Sequence, residues 1–78
     1  MGRIYVEVEQ EIEGNRYKTL EQLRKTISKI ANQEVNIRLK PYTSMLGDYR
    51  LQTEFDDEVY EIDYIRDNEN RFYITAIY

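Results

Sequence analysis

The chain has 78 residues, and its 15 Asp and Glu against 11 Lys and Arg give it a formal net charge of −4. Because domains usually contain about 100–150 residues, this length predicts a single domain that spans residues 1–78. The chain has no His and no Cys, which excludes disulfides, thiolate zinc sites and the Ser-His-Asp and Cys-His arrangements of hydrolases. We therefore expect a protein that is not an enzyme and that uses no cofactor.

The distribution of apolar residues argues against a membrane protein. No stretch reaches the roughly 18 apolar residues that a membrane-spanning helix requires. The first residues, MGRIYVEVEQ, are alternating and acidic, unlike a signal peptide. We therefore expect the protein to act in the cytoplasm, without a membrane partner.

Residues 3–13 alternate between apolar and acidic side chains. One parity holds Ile4, Val6, Val8 and Ile12. The other parity holds Tyr5, Glu7, Glu9, Glu11 and Glu13. Because successive side chains of a strand point to opposite faces, the pattern predicts a half-buried strand, whose solvent face carries a row of carboxylates roughly 20 Å long. Gly14 and Asn15 predict a turn after it, followed by a short return segment at residues 16–18.

Thr19 begins the one helix that the sequence predicts. Residues 19–22, Thr-Leu-Glu-Gln, match the capping box, in which two side chains satisfy free backbone N–H groups at the start of a helix. The apolar residues that follow recur at helical spacing and predict a buried stripe; they are Leu20, Leu23, Ile27, Ile30 and Ala31. Asn32 is a residue type that ends helices, so the predicted helix spans residues 19–32.

The rest of the chain shows the alternation that is typical of strands, in residues 35–40, 49–55, 59–66 and 71–78. Pro41 has no backbone N–H and is expected to end the first of these strands. Asp56-Asp57 is expected to form a tight connection between the second and the third. The resulting order is β-α-β-β-β-β, which predicts an α+β fold with one helix on one face of an antiparallel sheet of about five strands.

Charge is segregated along the chain. Residues 1–15 carry one Arg and four Glu, residues 16–50 carry eight basic against three acidic residues, and residues 51–78 carry two against eight. The last segment holds a second acidic cluster, formed by Asp56, Asp57, Glu58, Glu61 and Asp63. The carboxylates are either the soluble face of strands that must not pair edge to edge, or a functional acidic surface. No EF-hand spacing is present, so we expect no metal site.

Tyrosine is the second unusual feature, with eight residues in the chain and no Trp. Tyr favours strands, where its ring is buried and its hydroxyl stays wet. It is also enriched in protein interfaces. Tyr5, which the strand prediction places on the glutamate face, and Tyr42, which precedes Met45 in a predicted loop, are the candidates for exposed aromatic contacts.

These features favour a binding protein. We predict that it occupies the basic, nucleic-acid-binding surface of a partner protein through Tyr5, Glu7, Glu9, Glu11, Glu13, Asp56, Asp57, Glu58, Glu61 and Asp63. In size, charge and lack of catalytic groups it is similar to phage and mobile-element inhibitors of host defence, which include anti-CRISPR and anti-restriction proteins; no motif carries this similarity. Two alternatives stay open. The basic helix 19–32 could bind nucleic acid through Arg24, Lys25 and Lys29, or the chain could be a subunit of a larger assembly, such as a homo-oligomer.

Overall fold

The structure, a computed structural model, describes residues 3–43, 45 and 47–78, and of Tyr42 and Thr43 only the backbone. In chain order the elements are α1 (Arg3–Ile12), β1 (Arg16–Tyr17), α2 (Leu20–Ala31), β2 (Ile37–Thr43), β3 (Tyr49–Phe55), β4 (Glu58–Arg66) and β5 (Phe72–Ile77). The strands form one antiparallel sheet in the order β1-β5-β4-β3-β2. The predicted α+β fold, with an antiparallel sheet of five strands, is confirmed.

The predicted N-terminal strand is wrong, because residues 3–12 form the helix α1, and the described fold therefore has two helices instead of one. Tyr5, Val8 and Ile12 lie at helical spacing, and all three are buried in the core. Val8 and Ile12 are four residues apart, a spacing that fits both a strand face and a helix face. Burial of these three side chains against the sheet favours the helix, and β1, not residues 3–12, forms the outer strand beside β5.

The predicted limits of the second helix are confirmed by its caps. The Thr19 hydroxyl accepts a hydrogen bond from the backbone N–H of Gln22 at 3.2 Å, and the Gln22 side chain accepts one from the N–H of Lys18 at 2.9 Å. At the other end, Asn32 adopts a left-handed conformation (φ 54°), and its N–H bonds to the Ser28 carbonyl. Both ends of α2 therefore have partners for backbone groups that a helix leaves unsatisfied.

The sequence predicted that Pro41 ends this strand. The prediction is wrong, because β2 continues through Pro41 to Thr43. The pairing of β2 with β3 shifts its register between Lys40 and Thr43, as expected where a residue without an N–H interrupts a ladder. The strand tolerates proline because β2 is the outermost strand of the sheet. Pro41 therefore marks an edge, and the regular pairing of β2 is confined to residues 37–40.

The predicted tight turn at Asp56-Asp57 is confirmed. Phe55 pairs directly with Glu58, and both aspartates between them have positive φ angles, 57° and 59°. Two such residues in succession are the requirement of a type I′ hairpin turn. The turn projects both aspartates into solvent at one end of the sheet.

One face of the sheet and the buried stripes of both helices form the core. Its buried apolar residues are Tyr5, Val8, Ile12, Leu23, Ile27, Ala31, Val35, Leu51, Phe55, Tyr60, Ile62, Tyr64, Phe72, Ile74 and Ile77. Along β4 they are the even-numbered residues, so the odd-numbered side chains of that strand, Glu61 and Asp63 among them, lie on the face without helices. Neither of the described helices has the length and apolar character needed to cross a bilayer.

Candidate protein-binding surface

Helix α1 divides the four predicted glutamates into two pairs. At 100° per residue, Glu7 and Glu11 lie on one flank of the buried stripe, and Glu9 and Glu13 lie on the other. Glu7 forms an ion pair with Arg3 at 3.4 Å. Glu11 raises the pKa of Tyr17, after the larger effect of burial, and so faces the β1 side of the helix. The predicted single row of carboxylates therefore does not form.

The sequence predicted that Tyr5 lies on an exposed contact surface. This prediction is wrong, because only 6% of Tyr5 is exposed. Its hydroxyl donates a hydrogen bond to the Ile77 carbonyl at 2.7 Å and lies 3.3 Å from Oε2 of Glu9. Burial and the neighbouring Glu9 raise its pKa. Tyr5 therefore links α1 to β5 through a hydrogen bond, and a second one positions the Glu9 carboxylate at the edge of the core.

Two aromatic contacts connect Tyr5 to the hairpin formed by β3 and β4. The ring of Tyr60 stacks on Tyr5 at 5.0 Å on one side and on Phe55 at 4.3 Å on the other. The Tyr60 hydroxyl donates to Oε2 of Glu58 at 2.7 Å. Burial, the hydrogen bond to Glu58 and the charges nearby raise the pKa of Tyr60 to about 12. Glu9 and Glu58, far apart in sequence, are thus held on neighbouring buried phenols.

Four carboxylates act on these two phenols, and the exposed Asp57 lies between two of them in the β3–β4 turn. We call the five residues the acidic surface: Glu9, Glu13, Asp56, Asp57 and Glu58. The charges of Glu9 and Glu13 act on Tyr5, and those of Glu58 and Asp56 act on Tyr60, so the two segments meet at one place. Among the described residues, none of the five forms an ion pair. The sequence predicted one surface formed by ten residues of the two acidic segments. Five of these ten residues belong to the acidic surface.

Glu61 and Asp63, the other members of the predicted second cluster, lie on the opposite face of the sheet. Asp63 is 4% exposed and accepts two hydrogen bonds from Arg50, at 2.7 and 3.2 Å. Glu61 accepts a hydrogen bond from Gln52 at 3.1 Å, and its Oε2 is buried without a partner in the described part of the chain. Asp63 is neutralised internally, and neither residue can act together with the acidic surface.

The basic residues of the chain are less concentrated than the sequence suggested. Arg24 is held by Glu21 at 2.7 Å and also donates to the Val35 carbonyl. Lys25 and Lys29 are exposed on α2, and no ion pair of theirs occurs among the described residues. The helix therefore offers two free cations and not the three that the sequence predicted.

Exposed apolar side chains occur near the edge strand β2. Leu39 is 58% exposed and Tyr49 45% exposed, although both point to the helix face of the sheet. Sequence alternation predicted Leu39 to be buried, and no local signal could show that the helices end short of β2. Met45 is also exposed, whereas the side chain of Tyr42, the other predicted aromatic contact, lies outside the described residues.

The described part of the chain holds small surface cavities lined mostly by polar and charged side chains. A cavity of about 280 Å³ beside the start of β2 is lined by side chains of both charges, among them Glu34, Arg38 and Glu54. In the described part of the chain, no three carboxylates lie close enough to hold a metal ion. Comparisons with protein-family models, with curated proteins and with solved structures gave no significant match.

Proposed function

We propose that the protein is a non-enzymatic inhibitor or regulator that occupies the basic, nucleic-acid-binding surface of a partner protein in the cytoplasm, in the manner of the anti-CRISPR and anti-restriction proteins of phages and mobile elements. One observation carries the proposal. Five carboxylates from two distant segments share one surface and form no ion pair with any described residue, whereas Glu7, Glu21, Asp63, Asp67 and Glu69 are all paired with arginines.

The arrangement suits binding for two physical reasons. Like charges held together repel one another, and a cationic partner would relieve this repulsion and be attracted over a long range. Glu9 and Glu58 are also positioned before any partner binds, since both form hydrogen bonds with the buried Tyr5–Tyr60 stack. A surface that is ordered before binding loses less conformational entropy when the partner docks.

The test compares two variants with the same change in net charge. Glu9→Gln, Glu13→Gln and Asp57→Asn together neutralise the acidic surface with little change in side-chain shape. Glu7→Gln, Glu11→Gln and Glu69→Gln together are the control, because these exposed residues lie on the other flank of α1 and in the connection between β4 and β5. Each protein is immobilised and exposed to nuclease-treated bacterial lysate at moderate salt, and the retained proteins are identified by mass spectrometry.

We expect the wild-type and control proteins to retain a nucleic-acid-binding protein that the neutralised variant releases. Adding the wild-type protein should then displace nucleic acid from the purified partner, with an effect that weakens as salt is raised. Retention of the same proteins by all three chains would show that the acidic surface does not bind them.

A second candidate is direct nucleic-acid binding by α2, which is favoured by Lys25 and Lys29, since both are exposed and form no ion pair with a described residue. Two cations give weak and salt-sensitive binding at most. A gel-shift titration at low salt tests this candidate. A shift that is lost in the Lys25→Glu, Lys29→Glu variant would support it, and the absence of any shift with the wild-type protein would exclude it.

A further inference from the structure

The outer edge of β2 is the most distinctive surface that the proposed function leaves unused. β2 is the last strand of the sheet, and among the described residues it pairs with β3 alone. In an antiparallel sheet, alternate residues of an edge strand point their N–H and C=O groups away from the neighbouring strand. The regular part of β2, residues 37–40, thus presents a short template on which a further strand could form hydrogen bonds.

The two faces next to this edge differ in chemistry. Arg38 and Lys40 lie two residues apart on the face without helices, and neither forms an ion pair within the described residues. On the helix face, Leu39 is exposed, and Tyr49 lies near it on β3, two residues before Leu51, the partner of Leu39. A strand added at this edge would meet two cations on one side and apolar surface on the other.

The same residues disfavour a second copy of β2 as the added strand. Antiparallel pairing of two β2 edges would bring the cations of one copy next to those of the other, and like charges on neighbouring strands are destabilising. Pro41 further shortens the edge that could pair. Charge thus selects against self-pairing and in favour of an acidic strand.

We propose that the β2 edge at residues 37–40 binds an extended segment of another protein in which acidic and apolar side chains alternate. Alternation is required because side chains two apart on the added strand share a face. The acidic side chains then lie beside Arg38 and Lys40, while the apolar ones cover Leu39. Backbone hydrogen bonds provide affinity, and the two faces provide specificity, as in other strand-addition complexes. This interface has the opposite charge to the acidic surface and does not depend on it.

The test uses a fluorescein-labelled hexapeptide of alternating Glu and Val, followed by fluorescence anisotropy. Two control peptides are three Glu followed by three Val, which lacks the alternation, and alternating Lys and Val, which has the wrong charge. We expect saturable binding of the first peptide only. The Arg38→Glu, Lys40→Glu variant should weaken it about tenfold, since two opposite-charge pairs become two like-charge pairs. The Lys25→Glu, Lys29→Glu variant has the same charge change on α2 and should bind within about twofold of wild type.

A measurement on the wild-type protein makes the result independent of how the variants fold. Hydrogen exchange should slow at the backbone amides of residues 37–40 when the alternating peptide is present, and amides of β1, at the opposite edge, should not change. Equal binding of the block peptide, equal weakening by both variants, or no detectable binding to wild type would each overturn the proposal.

Discussion

The phenol of Tyr5 stacks on that of Tyr60 with 5.0 Å between the ring centroids, and this contact joins the N-terminal helix to the hairpin that carries the second acidic segment. Each hydroxyl has an acceptor within 2.7 Å, the Ile77 carbonyl for Tyr5 and Glu58 for Tyr60. The stack belongs to the core, whereas the carboxylates that it supports stay in water. Stability and the placement of the acidic surface are therefore linked through the same two side chains.

The stability contributed by Tyr5 can be divided between its hydroxyl and its ring. Tyr5→Phe leaves the Ile77 carbonyl without this donor and should lower the free energy of unfolding by about 1 kcal/mol. Tyr5→Ala also removes the ring between α1 and Tyr60 and should lower it by about 3–5 kcal/mol. Urea unfolding measures both changes. Tyr78→Phe is the control, since Tyr78 is 59% exposed, and a loss as large as that of Tyr5→Phe would contradict the assignment.

Alkaline pH should destabilise the fold through Tyr60. Its pKa in the folded protein is raised to about 12 from an ordinary value of 10.0, first by burial and then by the hydrogen bond to Glu58. The folded state therefore holds the phenolic proton more tightly than the unfolded state. Its stabilising effect is complete below about pH 10 and is lost as the pH rises towards about 12. The urea concentration at the midpoint of unfolding should fall across this pH range in wild type and fall less in Tyr60→Phe. An equal decrease of the midpoint with pH in both proteins would contradict the prediction.

The helix α2 and the last three strands could be predicted from the sequence because local and tertiary signals agree there. Thr19 and Gln22 cap the helix as their spacing predicts, and Asp56-Asp57 forms the predicted turn. In α2 and β3 the apolar period matches the face that is buried. Agreement between levels is what makes a local pattern informative.

The N-terminal segment could not be predicted in this way because its pattern fits two structures. Its β-branched residues and strict alternation favour a strand, yet Tyr5, Val8 and Ile12 also form a helical stripe. The sheet edge next to β5 is occupied by β1, and α1 covers the core instead. The acidic surface could be predicted only in part, because Glu9 comes near Glu58 only through the contact between Tyr5 and Tyr60, and Asp63 is paired with Arg50 of the neighbouring strand.

The turn at the centre of the acidic surface should be strained by its second aspartate. Asp57 has a φ of 59°, a region that L-residues with a side chain seldom adopt and that glycine adopts freely. Asp57→Gly should raise the free energy of unfolding by about 0.5–1 kcal/mol, since Asp-Gly is a preferred pair in type I′ turns. Asp57→Ala should lower it, because alanine has the Cβ but no local polar contact. If both changes were destabilising, a type I′ turn would not be the conformation in solution.

The partly buried pair of Arg50 and Asp63 should be strongly coupled. Arg50→Met leaves Asp63, whose side chain is 6% exposed, without its counter-ion, and should lower the free energy of unfolding by about 3 kcal/mol. Arg50→Met combined with Asp63→Leu removes both charges and should be less destabilising than Arg50→Met alone, because no buried charge is left unpaired.

A double-mutant cycle by urea unfolding, completed with Asp63→Leu, measures this coupling. The control is Arg3→Met, which breaks the exposed pair with Glu7, where the Arg3 side chain is 92% exposed, and which should change stability by no more than about 0.5 kcal/mol. Additive effects of the two substitutions at Arg50 and Asp63 would show that the pair does not act as a unit.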